Sequence, residues 1–145
     1  MATMKKVNVE AKTLENMKIE VTARDHKLMI DQPKAGGGND SGPTPLEYLF
    51  FSLAGCIGTI GTIIAKQKRI DLRGISVKVE GNLDLEVLMG KSKENRAGFQ
   101  GIKVITDIDA DMSKEEKEKF LHEIDERCPI SDNIANTTPI EFVVE

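Results

Sequence analysis

The sequence has little of what several common classes of protein depend on. Its 145 residues include no tryptophan, only 4% aromatic residues, two cysteines and two histidines. Two cysteines are too few for the disulfide framework of a small secreted domain. Two histidines and two cysteines, at spacings that match no familiar zinc finger, argue against a structural zinc site.

The sequence also lacks the charge pattern of a nucleic-acid-binding protein. The formal net charge is −4, and the 20 Lys and Arg residues are scattered among 24 Asp and Glu residues instead of forming a basic stripe. Residues 1–21 contain no apolar run long enough for a signal peptide. We therefore expect a cytoplasmic protein with no nucleic-acid partner, folded as a single domain over residues 1–145.

One uncharged stretch, residues 48–65, has Cys56 near its centre. Its 18 residues reach the lower limit for a membrane span. However, it is a lone apolar run in mid-chain, with β-patterned polar segments on both sides, which favours a core helix over a membrane helix. A monomer of this length can barely cover such a helix on all sides, so we expect no membrane partner but a homodimer.

Periodicity and turn residues predict the element order βββαββαβ. The predicted elements are strands over 7–13, 17–23 and 27–31, a Gly/Pro-rich loop over 32–45, a helix from Pro45 to about Arg69 capped by Thr44, strands over 73–87 and 99–108, a helix opened by the capping box 113–116 and ending before Pro129, and a strand over 139–145. Hairpins instead of βαβ crossovers predict an α+β fold, with antiparallel sheets wrapped around a long buried central helix.

Both cysteines are predicted to face the interior. Cys56 shares a helix stripe with Ile60, and Cys128 follows Phe120 and Ile124 at intervals of four residues. If the two sulfurs meet, one thiolate could attack a peroxide to form a sulfenic acid, which the other thiol would convert to a disulfide. Burial raises the pKa of a thiol, so this chemistry needs a nearby cation or hydrogen-bond donor. A purely structural use of both thiols, as small hydrophobic side chains, stays open.

The stretches GPTPLEYLFFSLAGC (residues 42–56) and CPIS (residues 128–131) resemble the OsmC/Ohr family of thiol-dependent peroxidases, and the resemblance covers most of the chain. It implies the OsmC-like fold, an intertwined homodimer, and the reduction of small-molecule organic hydroperoxides in oxidative stress defence. Cys56 would be the peroxidatic thiol and Cys128 the resolving thiol. No metal or bound cofactor is implied, because an external thiol or dithiol reductant supplies the electrons.

The chain departs from the family pattern beside the helix start. In the peroxidase branches an acid directly follows the helix-start proline and helps to hold an arginine against the thiol, whereas here Leu46 follows Pro45. Glu47 comes one residue later, which on a straight helix places it nearly opposite Cys56. Glu47 is the candidate for the activating acid and Arg24 for the arginine, with His26 as a second candidate beside Arg24. The alternative is an OsmC-like binding protein that holds an apolar or sulfur-containing ligand near Cys56 with little or no turnover.

Overall fold

The computed structural model describes all 145 residues, and the fold is α+β with small antiparallel sheets and a long central helix. The strands are β1 Glu10–Thr13, β2 Ile19–Ala23, β3 His26–Ile30, β4 Gly74–Asn82 and β5 Gly101–Asp109; the helices are α1 Pro45–Lys68, α2 Leu85–Leu88, α3 Lys114–Arg127 and α4 Pro129–Ala135. The chain divides into two compact units, residues 1–49 and 50–145, which are described separately. The single domain over 1–145 stays a prediction.

The first unit contains the predicted three-stranded meander, in the order β1-β2-β3. Glu10 pairs with Thr22, and Ile19 pairs with Ile30. The predicted first strand, 7–13, is shorter in the structure and begins at Glu10. The reason is that β2 turns away after Ala23, so residues 1–9 have no strand to pair with.

Asp31 organises the predicted loop that follows β3. Its side chain is 0% exposed and accepts hydrogen bonds from the backbone N–H groups of Gln32, Asn39 and Ser41 and from the Ser41 hydroxyl. These bonds, above all the one from the Ser41 hydroxyl at 2.6 Å, lower the pKa of Asp31 to about 2. Burial by itself would raise the pKa of Asp31, but the hydrogen bonds from the loop outweigh that effect.

Helix α1 begins and ends close to where the sequence predicts. It starts at Pro45, after the Thr44 cap, and ends at Lys68, because Arg69 adopts a left-handed conformation with φ of 56°. By length and composition α1 could cross a membrane. Its face from Leu53 to Ala65 instead forms the core of the second unit, so α1 is a buried core helix.

The second unit packs the β4–β5 hairpin and α3 against α1. The hairpin is paired along nine residues, from Gly74 with Asp109 to Asn82 with Gly101. The buried core residues are Leu53, Ile57, Ile60, Ile64, Ala65, Ile108, Ala110, Phe120, Ile124 and Cys128. Gly61 permits the close approach of these elements, because a Cβ there would lie 2.5 Å from Cδ1 of Ile75.

The predicted strand over 73–87 is wrong in its last residues. The strand ends at Asn82, and Asp84 caps the short helix α2 by accepting a hydrogen bond from the N–H of Glu86. Local capping chemistry therefore prevails over the alternating pattern in this stretch.

The strand predicted over 139–145 does not form in the chain. The segment has no regular secondary structure, and Ile140, Phe142 and Val144 are 75%, 88% and 96% exposed. A strand requires a neighbour for its backbone N–H and C=O groups, and neither edge of the hairpin nor of the meander takes this role within the chain.

Candidate functional site

Cys56 lies at the middle of α1 and packs against the core of the second unit while remaining partly exposed. Cys128 is 1% exposed and lies at the junction of two helices, ending α3 and capping α4. Both are free thiols. The structure thus places one partly exposed cysteine and one buried cysteine in the same unit.

The two thiols are neighbours. The side chain of Cys128 interacts with that of Cys56 and raises its pKa, although 71 residues separate the two cysteines along the chain. Periodicity alone predicted only that each sulfur faces the interior. The packing of α3 against α1 brings them together.

Three effects set the acidity of Cys56. Burial and the contact with Cys128 raise its pKa, whereas a hydrogen bond from the backbone N–H of Ile130 lowers it. The raising effects prevail. None of these effects comes from a lysine or an arginine.

Helix α4 supplies backbone donors to both sulfurs. The N–H of Ile130 points to Cys56, and the N–H of Ser131 lies 3.4 Å from Sγ of Cys128. The prediction missed α4, although the sequence carries its signals: Pro129 occupies the first helical position, and Asp132 lies in the first turn. An interpretation of Pro129 as a helix start as well as a helix end could have found these donors.

The second unit contains an apolar cavity of about 300 Å³, and neither cysteine is among its lining residues. It is lined by Leu53, Ile57, Ile102, Val104, Leu121, Ile124, Asp125, Ser131, Ile134 and Ala135. Leu53 and Ile57 flank Cys56 on α1, and Ser131 contacts Cys128. The lining could accommodate a small apolar molecule, with Asp125 as the one charged side chain.

Glu47 has a local structural partner in the first unit. Its carboxylate accepts a hydrogen bond from the N–H of Thr44 at 2.9 Å, and the Thr44 hydroxyl accepts one from the N–H of Glu47 at 3.2 Å. This reciprocal pair is a capping box. Glu47 therefore caps the first turn of α1, a role that its predicted place as an activating acid did not include.

Arg24 lies in the two-residue turn between β2 and β3, with φ of 55°. It is exposed and belongs to the first unit. The roles of Arg24 and Glu47 toward Cys56 stay predictions. No group of three or more His, Cys, Asp or Glu side chains in the chain could hold a metal ion, and His122 pairs with Glu126 at 2.9 Å.

Comparison with known proteins identifies relatives of this chain. The family described as OsmC-like protein matches residues 37–143. An OsmC-like protein from Mycoplasma pneumoniae superposes with a TM-score of 0.80 at 20% identity, covering 93% of this chain and 91% of that chain. No curated protein sequence matches the chain significantly.

Two further solved structures share this fold. The organic hydroperoxide resistance protein OsmC from Legionella pneumophila has a TM-score of 0.68 at 22% identity, covering 92% of this chain and 91% of that chain. An OsmC-like protein of unknown function from Vibrio cholerae has a TM-score of 0.65 at 13% identity, covering 89% and 93%. At these identities the likeness shows a shared fold.

Proposed function

The chain belongs to the family of OsmC-like proteins, and from that premise we propose that it reduces organic hydroperoxides through Cys56 and Cys128. The observation that supports this proposal best is that the two free thiols are neighbours, close to residues that line an apolar cavity. A relative from Legionella pneumophila that shares the fold is an organic hydroperoxide resistance protein.

The proposed reaction has three balanced steps. The Cys56 thiolate attacks the terminal peroxide oxygen, the O–O bond breaks, and the leaving alkoxide takes a proton to become an alcohol. Cys128 then attacks the sulfur of the Cys56 sulfenic acid, forming a disulfide and releasing water. An external dithiol finally reduces the disulfide by exchange and is itself oxidised to a disulfide.

Cys56 is the better candidate for the first attack because it is partly exposed, whereas Cys128 is 1% exposed. Its pKa is raised by burial, so a cation is needed to favour the thiolate. Arg24 is the proposed cation. Replacing Arg24 with alanine should slow alkylation of Cys56 at pH 7, and lysine at the same position should restore part of the rate; equal rates in all three proteins would remove Arg24 from the mechanism.

The proposed assembly is a homodimer. On α1, Ile63 is 41% exposed, and nothing lies within 4 Å of a Cβ built on Gly55 or Gly58. An apolar helix with an uncovered face of small and apolar residues favours association with a second copy. Sedimentation equilibrium should give twice the 16.0 kDa mass of one chain, whereas a single-chain mass at micromolar concentration would contradict the dimer.

Turnover of cumene hydroperoxide with a dithiol reductant tests the peroxidase. Wild type should consume the peroxide catalytically, and Cys56→Ser should not. Cys128→Ser is the matched control, because it should allow one oxidation of Cys56 per chain but no efficient recycling. Equal consumption by wild type and Cys56→Ser would refute the enzyme proposal.

A second candidate function is binding without turnover. It is favoured by the apolar cavity and by the raised pKa of Cys56, which lacks a local cation. In that case an apolar fluorescent probe should bind near the cavity, Ile57→Trp should displace it, and Cys56 should alkylate slowly below pH 8. Either function is consistent with a cytoplasmic protein, the location we propose because cytosolic reductants keep both thiols reduced.

A further inference from the structure

The hydrogen bonds around Cys128 form a closed circuit. The N–H of Cys128 donates to the backbone carbonyl of Asp125 at 3.1 Å, and the N–H of Ser131 donates to Sγ of Cys128 at 3.4 Å. The Ser131 hydroxyl closes the circuit by donating to the Asp125 carboxylate. The sulfur of Cys128 is therefore held between the last turn of α3 and the first turn of α4.

The carboxylate of Asp125 accepts a hydrogen bond within this circuit and forms no ion pair with a cation. The neighbouring acids on α3 form ion pairs, Glu123 with Lys68 and Arg127, and Glu126 with His122. Asp125 takes part in none of the ion pairs of the chain, and its side-chain partner is the Ser131 hydroxyl. A carboxylate that accepts from a hydroxyl makes a stronger hydrogen bond than a neutral acceptor would.

One end of the circuit is anchored in the core. Ile124, the residue before Asp125, is 0% exposed and belongs to the core cluster that includes α1. Asp125 and Ser131 thus link Sγ of Cys128 to the core and, through the core, to α1, the helix that carries Cys56. Without this tie, the first turn of α4 would lose its side-chain link to α3, and only backbone hydrogen bonds would hold the junction at Cys128.

We propose that Asp125, acting through Ser131, is a positioning residue for the resolving thiol of Cys128. This inference rests on the proposed function and extends it to the second step. In that step the Sγ–Sγ bond forms, the S–O bond of the sulfenic acid breaks, and the departing hydroxide combines with the proton of Cys128 to give water. Positioned reactants gain rate because the entropic cost of alignment is already met in the folded state.

The experiment follows disulfide formation in the full-length protein after one equivalent of cumene hydroperoxide, without reductant, using a sulfenic-acid trap and mass spectrometry at timed intervals. In Asp125→Ala and Ser131→Ala, the conversion of the Cys56 sulfenic acid to the disulfide, timed separately from the formation of the sulfenic acid, should be roughly tenfold slower than in wild type. Asp125→Asn retains an acceptor for the Ser131 hydroxyl and should restore most of the rate, as should Ser131→Thr. The double variant Asp125→Ala/Ser131→Ala should be no slower than either single variant, because both remove the same bond.

The matched control is Glu126→Gln, which removes a charge from the next residue of α3 without touching the circuit. It should form the disulfide at the wild-type rate. Disulfide formation within twofold of wild type in both alanine variants would overturn the inference, and so would equal slowing in Glu126→Gln. Should Asp125→Ala fail to fold, Ser131→Ala at its partly exposed site carries the same comparison.

A second arm uses diamide, which oxidises two neighbouring thiols to a disulfide and is itself reduced to the hydrazine. This arm needs no peroxidase activity. If hydroperoxide produces no sulfenic acid in wild type, the proposed function fails. Slower disulfide formation with diamide in Ser131→Ala would still support the positioning role. An unchanged rate of disulfide formation with diamide would refute that role.

Discussion

Truncating Ile124 to alanine should remove a large part of the stability of the protein. The side chain is 0% exposed, and its Cδ1 would lie 3.1 Å from a Cβ on Gly61, so it occupies the contact between α3 and α1. Replacing a buried isoleucine with alanine costs about 2–5 kcal/mol, and more where neighbours cannot close the space left behind. Ile124 already borders a cavity of about 300 Å³, which limits such closure.

We therefore expect a loss of about 4 kcal/mol for Ile124→Ala and about 1 kcal/mol for Ile124→Val. The free energy of unfolding of a typical domain is only about 5–15 kcal/mol, so the alanine variant should unfold roughly 10–15 °C below wild type. Urea unfolding with an unchanged m-value gives the free energy directly.

The matched control is Ile105→Ala, on the outer face of β5, where the side chain is 43% exposed. Its cost should stay below about 1.5 kcal/mol because much of its surface is already in water. A loss below about 1 kcal/mol for Ile124→Ala, or equal losses at the two positions, would refute the reasoning that the α1–α3 contact holds this unit together.

Three further predictions concern the titrating and capping groups. Cys128→Ala removes a partner that raises the pKa of Cys56, so alkylation of Cys56 at pH 8 should be faster than in wild type; a slower rate would contradict this. The pKa of Asp31 is lowered from 3.8 to about 2, so the ionised carboxylate stabilises the fold above pH 3.8, and this contribution is lost as the pH falls through 2. The difference in free energy of unfolding between wild type and Asp31→Asn, measured with urea, should therefore shrink between pH 4 and pH 2. A constant difference would rule this out. For the capping box, Glu47→Gln should preserve the melting temperature, whereas Glu47→Ala should cost about 1 kcal/mol; loss of peroxidase activity in a stably folded Glu47→Gln would instead support an activating role.

Much of the fold was predictable because its signals are local. The Thr44-Pro45 start of α1 and the capping box at Ser113 depend on residues three or fewer positions apart, and both occur in the structure as predicted. The meander and the inward residues of the β4–β5 hairpin follow from period-two alternation. The recognition of the family from residues 42–56 and 128–131 is confirmed by the family match over 37–143.

The errors arise where local signals compete or where a partner is needed. Asp84 fits the polar position of an alternating strand pattern and is also a good helix cap, and in the structure it caps α2. Pro129 ends one helix and begins the next, so its interpretation as a stop alone concealed α4. The alternating residues 139–145 satisfy the strand pattern, but a strand also needs a neighbouring backbone, which the pattern cannot specify.

The sequence by itself determined which residue types were available for chemistry: two thiols, each on the inward side of its helix, in a chain without the charge pattern of a nucleic-acid binder. Only the tertiary structure decided that Cys56 and Cys128 are neighbours, that Ile130 and Ser131 direct backbone N–H groups to them, and that Asp125 closes a circuit around the buried sulfur. Helical periodicity specifies the direction of a side chain about its own axis. The distance between two axes depends on side-chain packing across elements far apart in the chain, as at Gly61 and Ile124, and such packing leaves no local pattern to interpret.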